Sequence, residues 1–258
     1  MKKQKLILIL LILLLFIINY SFLDKTLENF LSNSEFVVVQ RVIDGDTIVA
    51  GNNSIRLLGI NSPEKGEKYY NESKEFLEKL ILDKEVRFEF GKEKYDQYKR
   101  ILAYVYINNM NINIELVKNG FANFYFPSGK DMHYKEFVQA WKSCIESNKN
   151  LCQKSNKKCS ECIELNEFDS EKERITIDNQ CGFSCDLTNW EIKDEGRKNF
   201  VFPKTNLNSN EKITIQVGEG NNNNTNLFWK GEKYVWTETG DTLFLRDENA
   251  GLILYKSY

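Results

Sequence analysis

The sequence predicts a mainly β protein with helices, built as a small barrel followed by a β-sandwich. Three observations predict this. Short β-branched runs such as "FVVVQRV", "TIVA" and "SIRLLGI" are separated by Asp-Gly and Gly-Asn-Asn turns, and helical periodicities are inserted among them. Past Lys149 the composition turns polar and cysteine-rich in "NLCQKSNKKCSEC", which marks a boundary. Beyond it nearly everything is strand-like, with polar turns at short intervals.

The bounds agree with two modest domains. The chain has 258 residues, 41% of them apolar and 13% aromatic, enough for real cores. The net charge of -2 excludes a global basic field for polyanions. Residues 35–150 carry equal numbers of basic and acidic groups, so the acidity sits in the C-terminal part. Any nucleic-acid contact is therefore local.

In chain order, "MKKQK" is a basic region, followed by a charge-free apolar run from Leu6 to Leu23. As a helix the run spans roughly 27 Å, close to a bilayer core. It reads as an uncleaved membrane anchor with the rest of the chain outside the cytoplasm; secretion after signal cleavage is the alternative. Residues 1–34 form this anchor or signal and its linker, and 35–150 the first domain. In that domain "YYNESKEFLEKLIL" carries Phe76, Leu77, Leu80 and Ile81 at helical spacing, and "EVRFEF" and "ILAYVYI" return to strand. "NINIELVKNGFA" reads as a short helix closed by Gly120, and "DMHYKEFVQAWKSCIE" as another helix. Short strands with interposed helices point to a Greek-key barrel of the oligonucleotide-binding type.

Residues 151–162 are a cysteine-rich linker and 163–258 the second domain, an antiparallel sandwich in which "GEGNNNNTN" is an exposed loop. The six cysteines, Cys144, Cys152, Cys159, Cys162, Cys181 and Cys185, fall late. An even number in an extracytoplasmic chain reads as disulfides; the last four also approach zinc-ribbon spacing. Six cysteines allow about fifteen pairings, and the sequence does not choose among them.

The chemistry available is carboxylates and arginines. The single histidine, His133, reads as a surface residue on a helix, so a two-histidine metal site within one chain is excluded. Aspartate oxygens and backbone carbonyls suit Ca²⁺ or Mg²⁺. Arginines match phosphate oxygens, and a glutamate can deprotonate water. Such a set can cleave a phosphodiester. Singly, Asp44-Gly45-Asp46 is an ordinary hairpin turn, and Arg56 and Arg100 are ordinary surface charges.

Together, "VIDGDTIVA", "IRLLGINSPE", "DQYKRILAYVY" and "NIELVKNGFA" resemble the staphylococcal nuclease (thermonuclease) family, in its order, over about residues 36–150. The resemblance implies an OB-fold-type five-stranded barrel with helices, and a Ca²⁺-dependent nuclease acting on DNA and RNA. It assigns Asp46, Asn61 and Ser62 to the metal, Arg56 and Arg100 to the scissile phosphate, and Glu64 to the general base. Two positions depart from it. Asn61 stands where the family usually has aspartate, which removes a negative charge and leaves room for a non-catalytic nucleic-acid-binding or adhesion protein with a degenerate site. Lys99 stands where it usually has glycine, and either strains a turn or adds a phosphate contact. In "FANFYF", Phe124 and Phe126 read mainly as core and Tyr125 as a base-stacking candidate. The C-terminal stretches "LTNWEIKDEG", "YVWTETGDTLFLRD" and "LILYKSY" resemble the lamin tail domain, which implies an immunoglobulin-like β-sandwich that binds or tethers a partner, with Trp190 and Trp236 in its core.

Overall fold

The computed structural model describes residues 34–258, with side chains from Phe36 onward. The expected anchor at 6–23 lies outside the described residues, and among the described residues no helix is long and apolar enough to cross a membrane.

The first domain is a closed barrel. Strand β1 (Ser34–Asp44) turns through Gly45 into β2 (Thr47–Ala50), which pairs with β3 (Asn53–Leu57). A two-residue β4 (Ile60–Asn61) leads into helix α1 (Tyr70–Ile81), then β5 (Glu85–Tyr95) and β6 (Ile101–Ile107). Strands β3, β2, β1, β5 and β6 follow one another in the sheet, and a parallel β3–β6 pairing closes the ring. Strand β7 (Met110–Asn111) folds back antiparallel on the end of β6, and α2 (Ile112–Lys118) follows, with the Asn111 side chain accepting from the Ile114 amide. The chain reverses at Gly120, whose φ of 70° suits glycine. It then passes through β8 (Asn123–Phe124) into α3 (Tyr134–Ser147).

The helices form where the apolar spacing predicts them, because each must bury a stripe. Helix α1 buries Leu77 and Ile81, and α3 buries Phe137, Ala140, Trp141 and Cys144. His133 is not a surface residue. Its Nε2 lies 2.7 Å from Glu89 Oε1, and its ring packs edge-on to Tyr104 at 4.5 Å. A helix start packed on the barrel wall buries even a polar side chain, provided it finds a partner.

The second domain has two sheets. One holds β9 (Ile163–Asp169), β10 (Arg174–Asn179), β15 (Lys212–Val217) and β16 (Asn226–Trp229). The other holds β12 (Glu191–Lys193), β13 (Asn199–Val201), β17 (Thr242–Arg246) and β18 (Leu252–Ser257). A short β11–β14 pair (Cys185–Asp186, Asn206–Leu207) stands apart. Trp190 and Trp236 are buried in its core, as the sequence predicts. The sandwich is not antiparallel throughout: β16 runs parallel to β15, because the loop 218–225 carries the chain back along the sheet before it pairs. Asn223 Oδ1 holds the end of that loop by accepting from the Thr225 and Asn226 amides.

All six cysteines are paired, as Cys144–Cys152, Cys159–Cys185 and Cys162–Cys181. A zinc ribbon would need four of these thiols free, so disulfides win. The domains also share a core. Phe244 of β17 packs edge-on against Trp141 at 5.4 Å and Phe124 at 6.4 Å, and Arg246 Nη1 donates to the Leu151 carbonyl.

Candidate active site

The β1–β2 turn places Asp46. A Cβ on Gly45 would fall 1.9 Å from Ser73 Oγ and 2.7 Å from Ser62 Cβ, so only glycine lets this turn approach α1 and the 61–62 segment. Asp46 is there fully engaged. Its Oδ2 accepts from the Ser62 amide at 2.8 Å and the Ser62 hydroxyl at 3.0 Å, and its Oδ1 accepts from the Thr47 hydroxyl at 3.0 Å.

Arg56 lies opposite Thr47 on β3, and its guanidinium turns inward. Nη2 sits 3.1 Å from Asp46 Oδ2 and donates to Asn61 Oδ1 at 3.2 Å, while Nη1 donates to the Leu57 carbonyl at 2.7 Å. Asp46, Arg56, Asn61 and Ser62 are 3%, 7%, 2% and 4% exposed, so these four of the predicted residues form one buried cluster.

Asp44, which the sequence predicts only as a turn residue, joins it by accepting from the Asp46 amide at 3.2 Å. Burial and the adjacent Asp46 carboxylate push its pKa above the ordinary range. On the ladder rung beside Asn61, Asn123 Oδ1 is buried without a partner. Crowded carboxylates with neutral oxygens beside them form a donor set that suits a hard divalent cation.

The structure does not bring the remaining predicted residues into this cluster. Glu64 is half exposed, with Oε1 2.7 Å from Arg197 Nε. Arg100 precedes β6 and bonds Asp96 through Nε at 2.7 Å, not the Asp46 cluster. Burial raises Asp96, but hydrogen bonds from the Arg100 amide and side chain outweigh it and hold the carboxyl below the usual range. Lys99 sits in that turn with φ 63°, the left-handed conformation glycine would favour. Phe124 and Phe126 are core, and Tyr125 is half-buried with its ring beside Gly196.

The sequence reading missed the second domain's part in the site. Gly196 accepts from Asn61 Nδ2 at 2.6 Å, Arg197 pairs with Glu64, and Lys193 Nζ reaches Glu67 Oε1 at 2.5 Å. No local signal could have found these residues, because the contacts join segments more than a hundred residues apart.

A small closed barrel carrying a buried acid–arginine cluster at its first turn defines a class: a phosphodiester-cleaving hydrolase of nuclease type. The family described as staphylococcal nuclease homologue matches residues 54–154, and the lamin tail domain matches residues 155–258. A thermonuclease of Staphylococcus hyicus is 33% identical over 46% of this chain and 77% of its own length. One of Staphylococcus intermedius is 32% identical over 45% and 76%. Endonuclease YhcR of Bacillus subtilis (strain 168) is 31% identical over 44% of this chain and 11% of its own length. The chain belongs to the staphylococcal nuclease family, with a lamin tail domain over residues 155–258.

Proposed function

We propose that the protein is a Ca²⁺-dependent endonuclease that hydrolyses DNA or RNA phosphodiesters outside the cytoplasm, tethered by residues 6–23. One observation carries the catalytic part: Asp46, Arg56, Asn61 and Ser62 meet in a single hydrogen-bonded cluster at a barrel turn. Asp46, Asn61 Oδ1 and the Ser62 carbonyl would hold the cation, with Asp44 behind them. The bound cation would supply Lewis-acid polarisation of the phosphoryl oxygen.

The chain's own groups do the rest. Arg56, already oriented by Asp46, and Arg100, held ready by Asp96, donate to the phosphate oxygens as charge grows on them. Glu64 takes the proton from the attacking water. Tyr125 offers a face to a base, and Lys99 a charge to the backbone. The location rests on the apolar N-terminal run and on the disulfides, which persist in oxidising compartments. In membrane fractions, mass spectrometry should find the N-terminal peptide intact; a mature chain starting near residue 24 in the medium would replace the anchor with a cleaved signal.

The second reading, a non-catalytic nucleic-acid-binding or adhesion protein, is favoured by Asn61, which lacks the charge a carboxylate would give the cation. Nucleotide release from single-stranded DNA decides between the two. The nuclease releases nucleotides with millimolar Ca²⁺ and stops in chelator. Binding without release under any divalent cation would establish the second reading.

A further inference from the structure

The segment joining β12 to β13 is an unusual hairpin tip. Such tips normally face water, yet Lys193, Asp194 and Glu195 are only 9%, 6% and 7% exposed. They are buried between their own domain and the 61–67 stretch of the nuclease domain. The tip's contacts with that domain fall on the 61–67 stretch, which carries Asn61 and Glu64, and on the Phe126 amide. Lys193 meets Glu67, the Gly196 carbonyl meets Asn61 Nδ2, Arg197 meets Glu64, and Glu195 Oε2 accepts from the Phe126 amide at 3.3 Å.

The tip is built by its own domain, not draped. The Asp194 amide donates to the Lys198 carbonyl, and the Lys198 amide donates back to Asp194 Oδ1 at 2.9 Å. Asp241 Oδ1 accepts from the Glu195 amide, and Glu195 Oε1 accepts from the Thr242 hydroxyl at 2.6 Å. It is preorganised to press on the site.

Asn61 makes the fit possible. Arg56, a pure donor, takes Oδ1, which leaves Nδ2 to donate to Gly196. The family's usual aspartate would set a carboxylate oxygen against that carbonyl at the same 2.6 Å, acceptor facing acceptor. We propose that the lamin tail domain is an autoinhibitory cap: its 193–198 tip closes the nuclease site against nucleic acid, and Asn61 is the residue that lets it seat. The proposal rests on the nuclease reading above. With the tip in place Asn61 is 2% exposed and held by the Gly196 carbonyl, and Glu64 is paired to a guanidinium.

Charge reversal of the cap tests this on the full chain with every residue of the nuclease domain unchanged: Lys193→Glu with Arg197→Glu, which sets like charges against Glu67 and Glu64. Amide hydrogen exchange should rise at 193–198 and at 61–64, and kcat/KM on single-stranded DNA with Ca²⁺ should rise about tenfold, since activity scales with the open fraction. Asn61→Asp should raise exchange at the same amides. Faster exchange with unchanged or slower cleavage would overturn the proposal, as would wild-type exchange in a folded double variant. If neither protein cuts DNA, the nuclease reading fails by itself. The cap is then judged by fluorescence anisotropy with a labelled oligothymidine: tighter binding by the double variant supports it, and unchanged binding overturns it.

Discussion

Arg56 and Arg100 differ in how they are held, and this sets what their loss should do. Arg56 is buried, with both Nη atoms used, whereas Arg100 is partly exposed and bonds Asp96 through Nε. Both are proposed to bind charge that grows in the transition state, so Arg56→Lys and Arg100→Lys should lower kcat more than they raise KM, by about 10²–10³ each. Lysine cannot reproduce the planar fork. The double variant should lose less than the product, because both groups act on one phosphate. Near-wild-type kcat in both folded single variants would remove these arginines from the mechanism. Lys99 offers a separate test. At φ 63° a lysine pays the left-handed penalty that glycine avoids, so Lys99→Gly should stabilise the protein by about 1 kcal/mol in urea denaturation. A fall in activity together with that gain would assign Lys99 a substrate contact.

Among elements, the stretch around β9 to β11 depends on covalent closure. Cys159–Cys185 and Cys162–Cys181 tie the start of the second domain to the strand pair beneath it, enclosing 26 and 19 residues of separation. The chain-entropy estimate gives about 3 kcal/mol for a loop of the smaller size. Cys162→Ser with Cys181→Ser should therefore lower unfolding stability by about that amount, read from the denaturation midpoint at constant slope. No loss would mean that the β10–β15 and β12–β17 ladders suffice alone.

For the whole molecule, the interface between the domains holds buried acids. Burial, with Asp241 adding to it, pushes Asp194 up to about 7 and Glu195 up to about 8. A carboxyl raised in the folded state binds a proton that the unfolded chain has released. Its contribution is complete below the unfolded value near 4 and is lost as pH rises through the folded one. Stability in chelator should thus fall between about pH 5 and about pH 8.5, and Glu195→Gln should flatten the slope. A midpoint that rises over this range in the wild type would show that the carboxyls are not proton-bound in the folded protein.

The sequence by itself determined the local structure and the chemistry on offer. Asp-Gly turns between β-branched runs made the β1–β2–β3 meander legible, because turn geometry depends on the few residues that form it. Apolar spacing gave α1 and α3, since a helix must bury one stripe whatever it packs against. The family resemblance marked Asp46, Arg56, Asn61 and Ser62 as candidates, and they meet because neighbours in a meander stay neighbours in space. The tertiary structure alone decided which cysteines pair, that β16 runs parallel to β15, that His133 packs beside Glu89 rather than in water, and that Phe244 completes the barrel's core. It also decided that Gly196 and Arg197 lie on Asn61 and Glu64. The physical reason is common to all of these: each contact joins segments whose local sequences are satisfied equally well apart, and only the packing of one domain on the other, or one sheet on the next, brings them together.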